Sequence, residues 1–342
     1  MEILDEKKML SGETLRVLHW SSSEKAPEKY LDYVLASMGS DSPHEHLYSI
    51  SGWRAYFSDA MLGAFYPEVV DHWFFAEVDG ECAGRIWFAY SAKSLIGNFG
   101  NVMTRPRFQG RGIMTELMKH CMAEIRRSPA NMLCCIAGKR ITPTYLKNGF
   151  SLIHGGEEGP LCFIKEGSFL DKAKQAFSGS RIMEVRPGRI GDQFDCDKFL
   201  AYVPELWNRR FPVQTGPAAS IFDFRMALQE SFSDHAVVYV ALNEQKICCG
   251  YAFAVMLSSG LPVLDFVIHP AYMADSAELI RTTASAFQKT FGAIPSYYGL
   301  SADTEKNTAA VNAGMKRISE VSSAVLYKNQ MADMTIFMPG QC

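Results

Sequence analysis

The feature that most constrains the fold is a short glycine-containing loop between an apolar strand and an amphipathic helix. The strand-like stretch Ile96–Thr104 precedes the loop, and a helix from Ile113 to about Arg127 is expected after it, with one apolar face. A helix start presents unpaired backbone N–H groups and the positive end of the helix dipole. Because glycine lets a phosphate approach the backbone closely, the loop around Gly110 and Gly112 predicts an anion site.

The charge and spacing of this loop narrow the kind of anion it could hold. Arg107 and Arg111 are expected to add positive charge where a pyrophosphate would sit. The glycine spacing fits neither the Walker loop, Gly-x4-Gly-Lys-Ser/Thr, nor the dinucleotide fingerprint, Gly-x-Gly-x-x-Gly. The alternative interpretation is a generic glycine-rich turn from a strand into a helix, with no ligand.

The pattern Gln109-x-x-Gly112-x-Met114 resembles the Gln/Arg-x-x-Gly-x-Gly/Ala signature of the GNAT acyltransferases, which grips the pyrophosphate of acyl-coenzyme A. The resemblance implies that acetyl-coenzyme A, or another acyl-coenzyme A, is the co-substrate. Met114 stands where the family usually has glycine or alanine, so its side chain would narrow the space beside the cofactor. By this resemblance the cofactor-binding residues are Val102, Met103, Thr104, Gln109, Gly110, Arg111, Gly112, Ile113 and Met114.

A second family-like segment has a tyrosine four residues before a Gly-Phe pair, here Tyr145 before Gly149 and Phe150. In many GNAT members this tyrosine protonates the leaving thiolate of coenzyme A, and the resemblance implies that Tyr145 is the catalytic acid. A phenol with a reference pKa of about 10 suits a thiol with a reference pKa of about 8.5. The alternative is that Tyr145 only packs at the end of a short helix, with Phe150 in the core.

The sequence does not assign a general base, which acylation of an amine needs in order to remove a proton from the ammonium form. The strand Ile96–Thr104 offers Asn98 and Asn101 but no carboxylate. Four nearby titratable residues are candidates, although each is more simply interpreted as a solvated or packed side chain. They are Glu77, Glu81, His72 and His120.

Composition and charge are those of a globular protein and argue against several other classes. The 342 residues suit two domains, and 48% hydrophobic with 21% charged residues is not the balance of a disordered chain. The net charge of −3 gives no basic field for nucleic acid, and no apolar run reaches membrane-spanning length. The N-terminus lacks the apolar core of a signal peptide. The nine cysteines show no metal-ligand spacing, so we expect buried free thiols, a cytoplasmic location and no metal.

The order of predicted elements indicates an α/β protein with two tandem folds, each built on a mixed sheet. Residues 1–165 are expected to form a GNAT domain with the acyl-coenzyme A loop, 166–180 a linker with some helix, and 181–342 a degenerate GNAT-like domain with a C-terminal tail. In that second half Ala271–Asp275 replaces the glycine loop, and Ala310 stands where a tyrosine would precede Gly314. Predicted elements of the second half include helices over Asp192–Tyr202, Ala218–Leu228 and Ala277–Phe291, a strand over Val263–Ile268, and a tail, Met331–Cys342, that packs back on the fold.

The predicted function is an N-acetyltransferase that moves an acetyl or other short acyl group from acyl-coenzyme A to a primary amine of a small molecule or peptide. Direct transfer within one cleft needs no covalent enzyme intermediate, because positioning supplies much of the rate. One alternative is a non-catalytic binding or sensor protein for acyl-coenzyme A. Another is a GNAT-fold enzyme that performs other acyl-thioester chemistry, such as decarboxylation or transfer from a carrier protein. The oligomeric state stays open.

Overall fold

The computed structural model describes residues 1–36, 50–207, 224–232, 234–257, 259–327 and 330–340. The chain divides into two compact units, Met1–Gly167 and Ser168–Cys342. Each unit contains one sheet, with eight strands in the first unit and seven in the second. None of the helices in the described residues is long and apolar enough to cross a membrane.

The first unit has an extended antiparallel sheet interrupted by one parallel pair. In chain order its elements are β1 (Glu2–Lys8), β2 (Thr14–Ser21), α1 (Glu28–Ala36), α2 (Ile50–Met61), β3 (Val69–Val78), β4 (Glu81–Ser91), β5 (Ile96–Thr104), α3 (Ile113–Arg127), β6 (Met132–Ala137), α4 (Thr142–Lys147), β7 (Ser151–Leu152) and β8 (Gly159–Ile164). The strand order is β1-β2-β3-β4-β5-β6-β8-β7. Strands β5 and β6 are parallel, so the chain needs a crossover between them, which α3 provides.

Large apolar side chains fill both faces of this sheet. On one face Phe88 of β4 is buried in the same cluster as Leu117 of α3. On the other face Trp73 and Trp87 contact Phe57 of α2, with ring centroids 5.2 and 5.1 Å apart. Burial on both faces explains why β3 and β4 are nearly continuous apolar runs rather than alternating ones. The central strands therefore form a rigid frame for the loop that follows β5.

A bulge in β5 separates the end of this strand from its parallel neighbour. The β4–β5 register runs Arg85↔Met103 and then Trp87↔Gly100, so β5 carries one extra residue between these pairs. Asn101 lies there with φ 53°, in the left-handed region that asparagine tolerates better than most residues. Strand β6 pairs with β5 only over Ile96–Asn98, and beyond this point the two strands have no paired residues. The result is an opening in the sheet beside the second half of β5.

The second unit repeats this arrangement. Its elements are α5 (Phe169–Ala176), β9 (Ile182–Pro187), a 3-10 turn (Ile190–Asp192), a π-helical segment (Asp195–Leu200), α6 (Pro204–Trp207), α7 (Phe224–Phe232), β10 (Ala236–Asn243), β11 (Cys248–Met256), β12 (Pro262–Ile268), a 3-10 helix (Pro270–Asp275), α8 (Ala277–Phe291), β13 (Ser296–Leu300), α9 (Thr304–Asn312), β14 (Met315–Tyr327) and β15 (Gln330–Pro339). The strand order is β14-β15-β13-β12-β11-β10-β9. Its parallel pair, β12 and β13, is joined by α8 just as β5 and β6 are joined by α3. The predicted fold class, two tandem α/β folds with mixed sheets, is confirmed.

Candidate active site

The loop between β5 and α3 has the backbone of an anion-binding helix start. Gly110 and Gly112 have φ of 74° and 76°, and Gly112 is the residue that caps α3. No side chain makes a capping hydrogen bond there, so the first backbone N–H groups of the helix are not satisfied by a cap. A Cβ built on either glycine would meet no atom within 4 Å. The left-handed backbone therefore explains why both positions are glycine, and the space beside each glycine is open to a ligand.

The two arginines of the loop already have carboxylate partners. Arg111 forms an ion pair with Glu13 and also donates to Ser11 Oγ at 3.1 Å. Arg107 forms an ion pair with Glu81. Hydrogen bonds from Ser11 and Arg111 lower the pKa of Glu13, which keeps its carboxylate charged. Because Glu13 and Glu81 neutralise the charges of Arg111 and Arg107, the attraction for an anion comes mainly from the backbone N–H groups at the helix start.

The remaining predicted cofactor residues lie along the bulged end of β5 and the first turn of α3. Gln109 Nε2 donates to the backbone oxygen of Thr104 at 3.1 Å and so ties the loop to the end of the strand. Ile113 is buried in the core, while Val102 and Met114 pack partly against it. These three side chains are occupied by packing, so backbone groups are what they can offer a cofactor. Met103 is half-buried on the same strand end.

Tyr145 lies on α4 and faces the point where β5 and β6 separate. Its ring makes an edge contact with Phe99, at 5.5 Å between centroids, and Phe99 directly follows the last residue of β5 that pairs with β6. The side chain is only 6% exposed, and its hydroxyl has no hydrogen-bond partner among the described residues. Burial, together with the nearby Cys135 and Cys121, raises the pKa of Tyr145 well above its usual value. The phenol therefore stays protonated, as a proton donor must before it acts.

Comparison with known proteins assigns the first unit to a family. Residues 70–152 match the family model described as the acetyltransferase (GNAT) domain. The chain carries a GNAT acetyltransferase domain. The match confirms the family and the enzyme class, N-acetyltransferase, that the sequence motifs predict, and it leaves the acyl acceptor open.

Solved structures that resemble the chain include three acetyltransferases. One is the ribosomal-protein-S5-alanine acetyltransferase from Vibrio fischeri, at 8% identity, covering 45% of this chain and 90% of that one, with a TM-score of 0.36. Another is spermidine N-acetyltransferase from Vibrio cholerae in complex with CoA and spermine, at 10% identity, 45% and 93% coverage and a TM-score of 0.35. The third is yncA from Salmonella typhimurium, a putative acetyltransferase with its cofactor acetyl-CoA, at 13% identity, 45% and 91% coverage and a TM-score of 0.34. Comparison with curated proteins gave no match.

Three of the candidate bases of the GNAT domain lie beside charged or polar groups. Glu77 accepts hydrogen bonds from Tyr30 and Lys29. Glu81 forms ion pairs with Arg105 and Arg107. His120 lies 3.6 Å from a carboxylate oxygen of Asp5. These contacts agree with the simpler interpretation of each residue as a packed or paired side chain.

His72 is enclosed within the sheet rather than open to a substrate. Its Nδ1 lies 2.9 Å from Nε2 of His19, and its ring stacks on Phe88 at 4.5 Å. Burial, with a smaller contribution from His19, lowers the pKa of His72 to about 3. The imidazole is therefore neutral at ordinary pH. Of the two strand amides, Asn98 is buried and Asn101 occupies the bulge.

One buried carboxyl of the GNAT domain was not among the sequence candidates. Asp71 of β3 is fully buried, accepts a hydrogen bond from Trp87 Nε1 at 2.8 Å, and has a second oxygen with no partner among the described residues. Asp71 pairs across the sheet with Ala89 of β4, and Ala89 pairs with Asn98 of β5. Asn98 is the last residue of β5 that pairs with β6. Burial raises the pKa of Asp71 to about 7. A lone aspartate inside the apolar run that opens β3 was the sequence feature that could have identified it.

We expect the raised pKa of Asp71 to make the free energy of unfolding depend on pH. The pKa is 3.8 in an ordinary setting and about 7 here, so the folded state holds a proton that the unfolded state releases. Stability from this group is present at low pH and is lost as the pH rises toward 7. The expected loss is roughly 2 kcal/mol between pH 5 and pH 7.

The near-isosteric change Asp71→Asn keeps an acceptor for Trp87 and removes the titration. Chemical denaturation of both proteins at pH 5, 6, 7 and 8 measures the difference. The variant should become progressively more stable than the parent as the pH rises. A difference that stays constant across this range would show that Asp71 does not titrate there.

The second unit lacks the loop geometry of the GNAT domain. A 3-10 helix, Pro270–Asp275, leads into α8, and the capping residue Ser276 has φ −78°, so no left-handed glycine opens the helix start. Asp275 adds a negative charge there and accepts from the backbone N–H of Ile182 at 2.6 Å. An anion would meet a carboxylate at this helix start rather than open backbone.

The opening between β12 and β13 is occupied by an ion pair. The two strands pair only at Val263 and Leu264, and the β11–β12 register has no bulge. Lys306 of α9 forms an ion pair with Asp265, and both side chains are almost fully buried. The ammonium also lies 5.3 Å from the centre of the Tyr297 ring. Where the two parallel strands separate, the second unit thus has a buried ion pair, and the first unit has the rings of Phe99 and Tyr145.

Proposed function

We propose that the first unit transfers an acetyl or other short acyl group from acyl-coenzyme A to a primary amine of a small molecule or a peptide. One observation carries this proposal. The uncapped helix start with left-handed glycines at Gly110 and Gly112 follows directly on the strand end that the bulge at Asn101 separates from β6. An anion site and an opening in the sheet therefore adjoin each other, as the two ends of a long thioester co-substrate require.

Within this proposal the chain's residues divide the work. Backbone N–H groups of Gln109–Met114 hold the pyrophosphate, because the helix dipole and the unsatisfied donors favour an anion. Backbone groups of Val102–Thr104, freed from pairing with β6, orient the arm that leads to the thioester. Both parts act by holding the thioester in one place, where an amine can reach its carbonyl carbon.

Tyr145 supplies the proton that the reaction needs at sulfur. The amine nitrogen forms a bond to the thioester carbon, the carbon–sulfur bond breaks, and the phenol donates its proton to the leaving thiolate. The amine releases one proton to solvent and the phenolate takes one back from solvent, so the products are an amide and a free thiol and Tyr145 is restored. Tyr145 is placed for this because it lies at the point where β5 and β6 separate, and its hydroxyl has no partner among the described residues.

The proposal is tested by following free thiol released from acetyl-coenzyme A in the presence of a panel of primary amines and amino-terminal peptides. We expect release that depends on the amine and an acetylated product that mass spectrometry detects. Binding without thiol release for any amine would favour a sensor or binding protein. Thiol release that needs no amine would favour other acyl-thioester chemistry. The cytoplasmic location and the absence of nucleic-acid partners stay predictions.

A further inference from the structure

Three side chains that sequence spacing does not connect come together between β1 and α3. Glu116 and His120 are four residues apart on α3 and so share one face of the helix. Asp5 lies on β1, where the register with β2 shifts between Ile3 and Asp5. One possible ligand atom from each of the three lies within 4.8 Å of the other two.

Two polar atoms of the cluster make no hydrogen bond in the described part of the chain. Lys7 Nζ lies 2.7 Å from Oε1 of Glu116, and Lys119 Nζ lies 3.7 Å from Oε2, so the closer ion pair is at Oε1. The other oxygen, Oε2, and Nε2 of His120 are both buried without a hydrogen-bond partner among the described residues. Buried groups of this kind are costly unless something binds them.

The spacing of these atoms suits a shared metal ion better than direct contact. Nε2 of His120 lies 3.6 Å from an oxygen of Asp5, which is too long for a good hydrogen bond. Two ligands bound to a tetrahedral zinc ion at about 2.0–2.1 Å lie roughly 3.3 Å from each other. A small adjustment of side chains would therefore bring both atoms to bonding distance from one ion.

We propose that Asp5, Glu116 and His120 form a site for a divalent transition metal, with Zn²⁺ as the reference ion. An imidazole with two carboxylates favours transition metals over Mg²⁺, which prefers oxygen ligands alone. The two carboxylates supply the negative charge, and Oε2 of Glu116 makes no hydrogen bond among the described residues, although Lys119 Nζ lies 3.7 Å away. A water molecule completes the fourth position.

The site joins the first strand to the helix that presents the loop. β1 is the edge strand of its sheet, and most of its residues are exposed. A metal bound to Asp5 and to two residues of α3 would hold β1 against this helix. The first of these two residues, Glu116, lies one turn after Gly112. This role does not depend on the acyl-transfer reaction and can be measured without it.

Zn²⁺ titrated into the full chain by isothermal calorimetry tests the proposal, with Co²⁺ absorption as a second measurement. We expect one ion per chain, a cobalt spectrum without thiolate bands, and a higher midpoint of thermal unfolding in the presence of Zn²⁺. His120→Ala and the near-isosteric Asp5→Asn should each weaken binding at least tenfold. His235→Ala, which removes an exposed histidine outside the cluster, is the matched control and should bind as the parent does.

Two results would overturn the proposal. One is the absence of stoichiometric Zn²⁺ binding by the folded parent protein, which would leave the cluster as a network of side-chain contacts without a metal. The other is Zn²⁺ binding that Asp5→Asn and His120→Ala leave unchanged, which would place the ion elsewhere. Circular dichroism of each variant confirms that it is folded before its affinity is compared.

Discussion

Gly112→Asp is expected to bind acetyl-coenzyme A at least about fivefold more weakly than Gly112→Asn. The two side chains have nearly the same size, and both tolerate the left-handed backbone at φ 76°. They differ in the negative charge that aspartate brings to the helix start, where the proposed pyrophosphate binds. Two like charges about 4 Å apart repel by roughly 1 kcal/mol in water and about 4 kcal/mol near a protein surface. These energies correspond to roughly fivefold to several hundredfold in affinity.

Isothermal calorimetry of the two variants and the parent gives the three dissociation constants. Gly80→Asp is a matched control, because Gly80 also has a positive φ and open space but lies in the β3–β4 turn. It should bind acetyl-coenzyme A as the parent does. If Gly112→Asp binds as tightly as Gly112→Asn, the anion site is not at this helix start.

Tyr145→Phe is expected to reduce turnover by about 10²- to 10⁴-fold, the usual worth of a general acid. The dissociation constant for acetyl-coenzyme A should change little, because the proton is needed only as the thiolate leaves. Phenylalanine keeps the ring contacts with Phe99 and Phe150, so the core should remain intact. Steady-state kinetics with an accepted amine, together with calorimetry of cofactor binding, separates the two effects.

The same change at Tyr90 is the control for loss of a phenol from this core. Tyr90 is buried in the same apolar cluster as Tyr145, and burial raises the pKa of both groups. Tyr90→Phe should keep the parent's turnover. Parental turnover in Tyr145→Phe, measured where chemistry limits the rate, would leave Tyr145 with a packing role alone.

The elements with strong apolar patterns were predictable from the sequence. The strand β5 at Ile96–Thr104 and the helix Ala277–Phe291 have the predicted bounds. In each of them the side chains that pack inward also set the periodicity, so local pattern and tertiary packing agree. The strand Val263–Ile268 begins one residue earlier than predicted, at Pro262.

Elements that depend on distant pairing were predicted less well. β1 at Glu2–Lys8 was missed, because its charged, exposed side chains show no alternation and only pairing with β2 makes it a strand. The helix predicted over Asp192–Tyr202 is present from Gln193, but its middle, Asp195–Leu200, has π-helical geometry. The C-terminal tail does pack back, as a strand between β13 and β14.

Two other sequence predictions agree with the structure only in part. For the helix predicted over Ala218–Leu228, residues 218–223 lie outside the described residues, and a helix is present over Phe224–Phe232. The predicted linker, residues 166–180, contains the helix Phe169–Ala176. In both cases the sequence marked the helical tendency but not the bounds, which packing decides.

In the candidate site, the loop glycines and Tyr145 were visible in the sequence because their roles are local. The partners of the loop arginines were not, since Glu13 is 98 residues from Arg111. The cluster of Asp5, Glu116 and His120 escaped for the same reason, because β1 itself was not foreseen. Long-range pairing thus decides which charges are neutralised, and a single sequence does not record it.

A structure of the chain crystallised with acetyl-coenzyme A tests the central proposal most directly. We expect the pyrophosphate within hydrogen-bond distance of backbone N–H groups at Gly110–Met114, and the thioester sulfur within about 3.5 Å of the Tyr145 hydroxyl. The arm between them should lie along Val102–Thr104. A cofactor bound to the second unit, or one whose sulfur lies out of reach of Tyr145, would contradict the proposal.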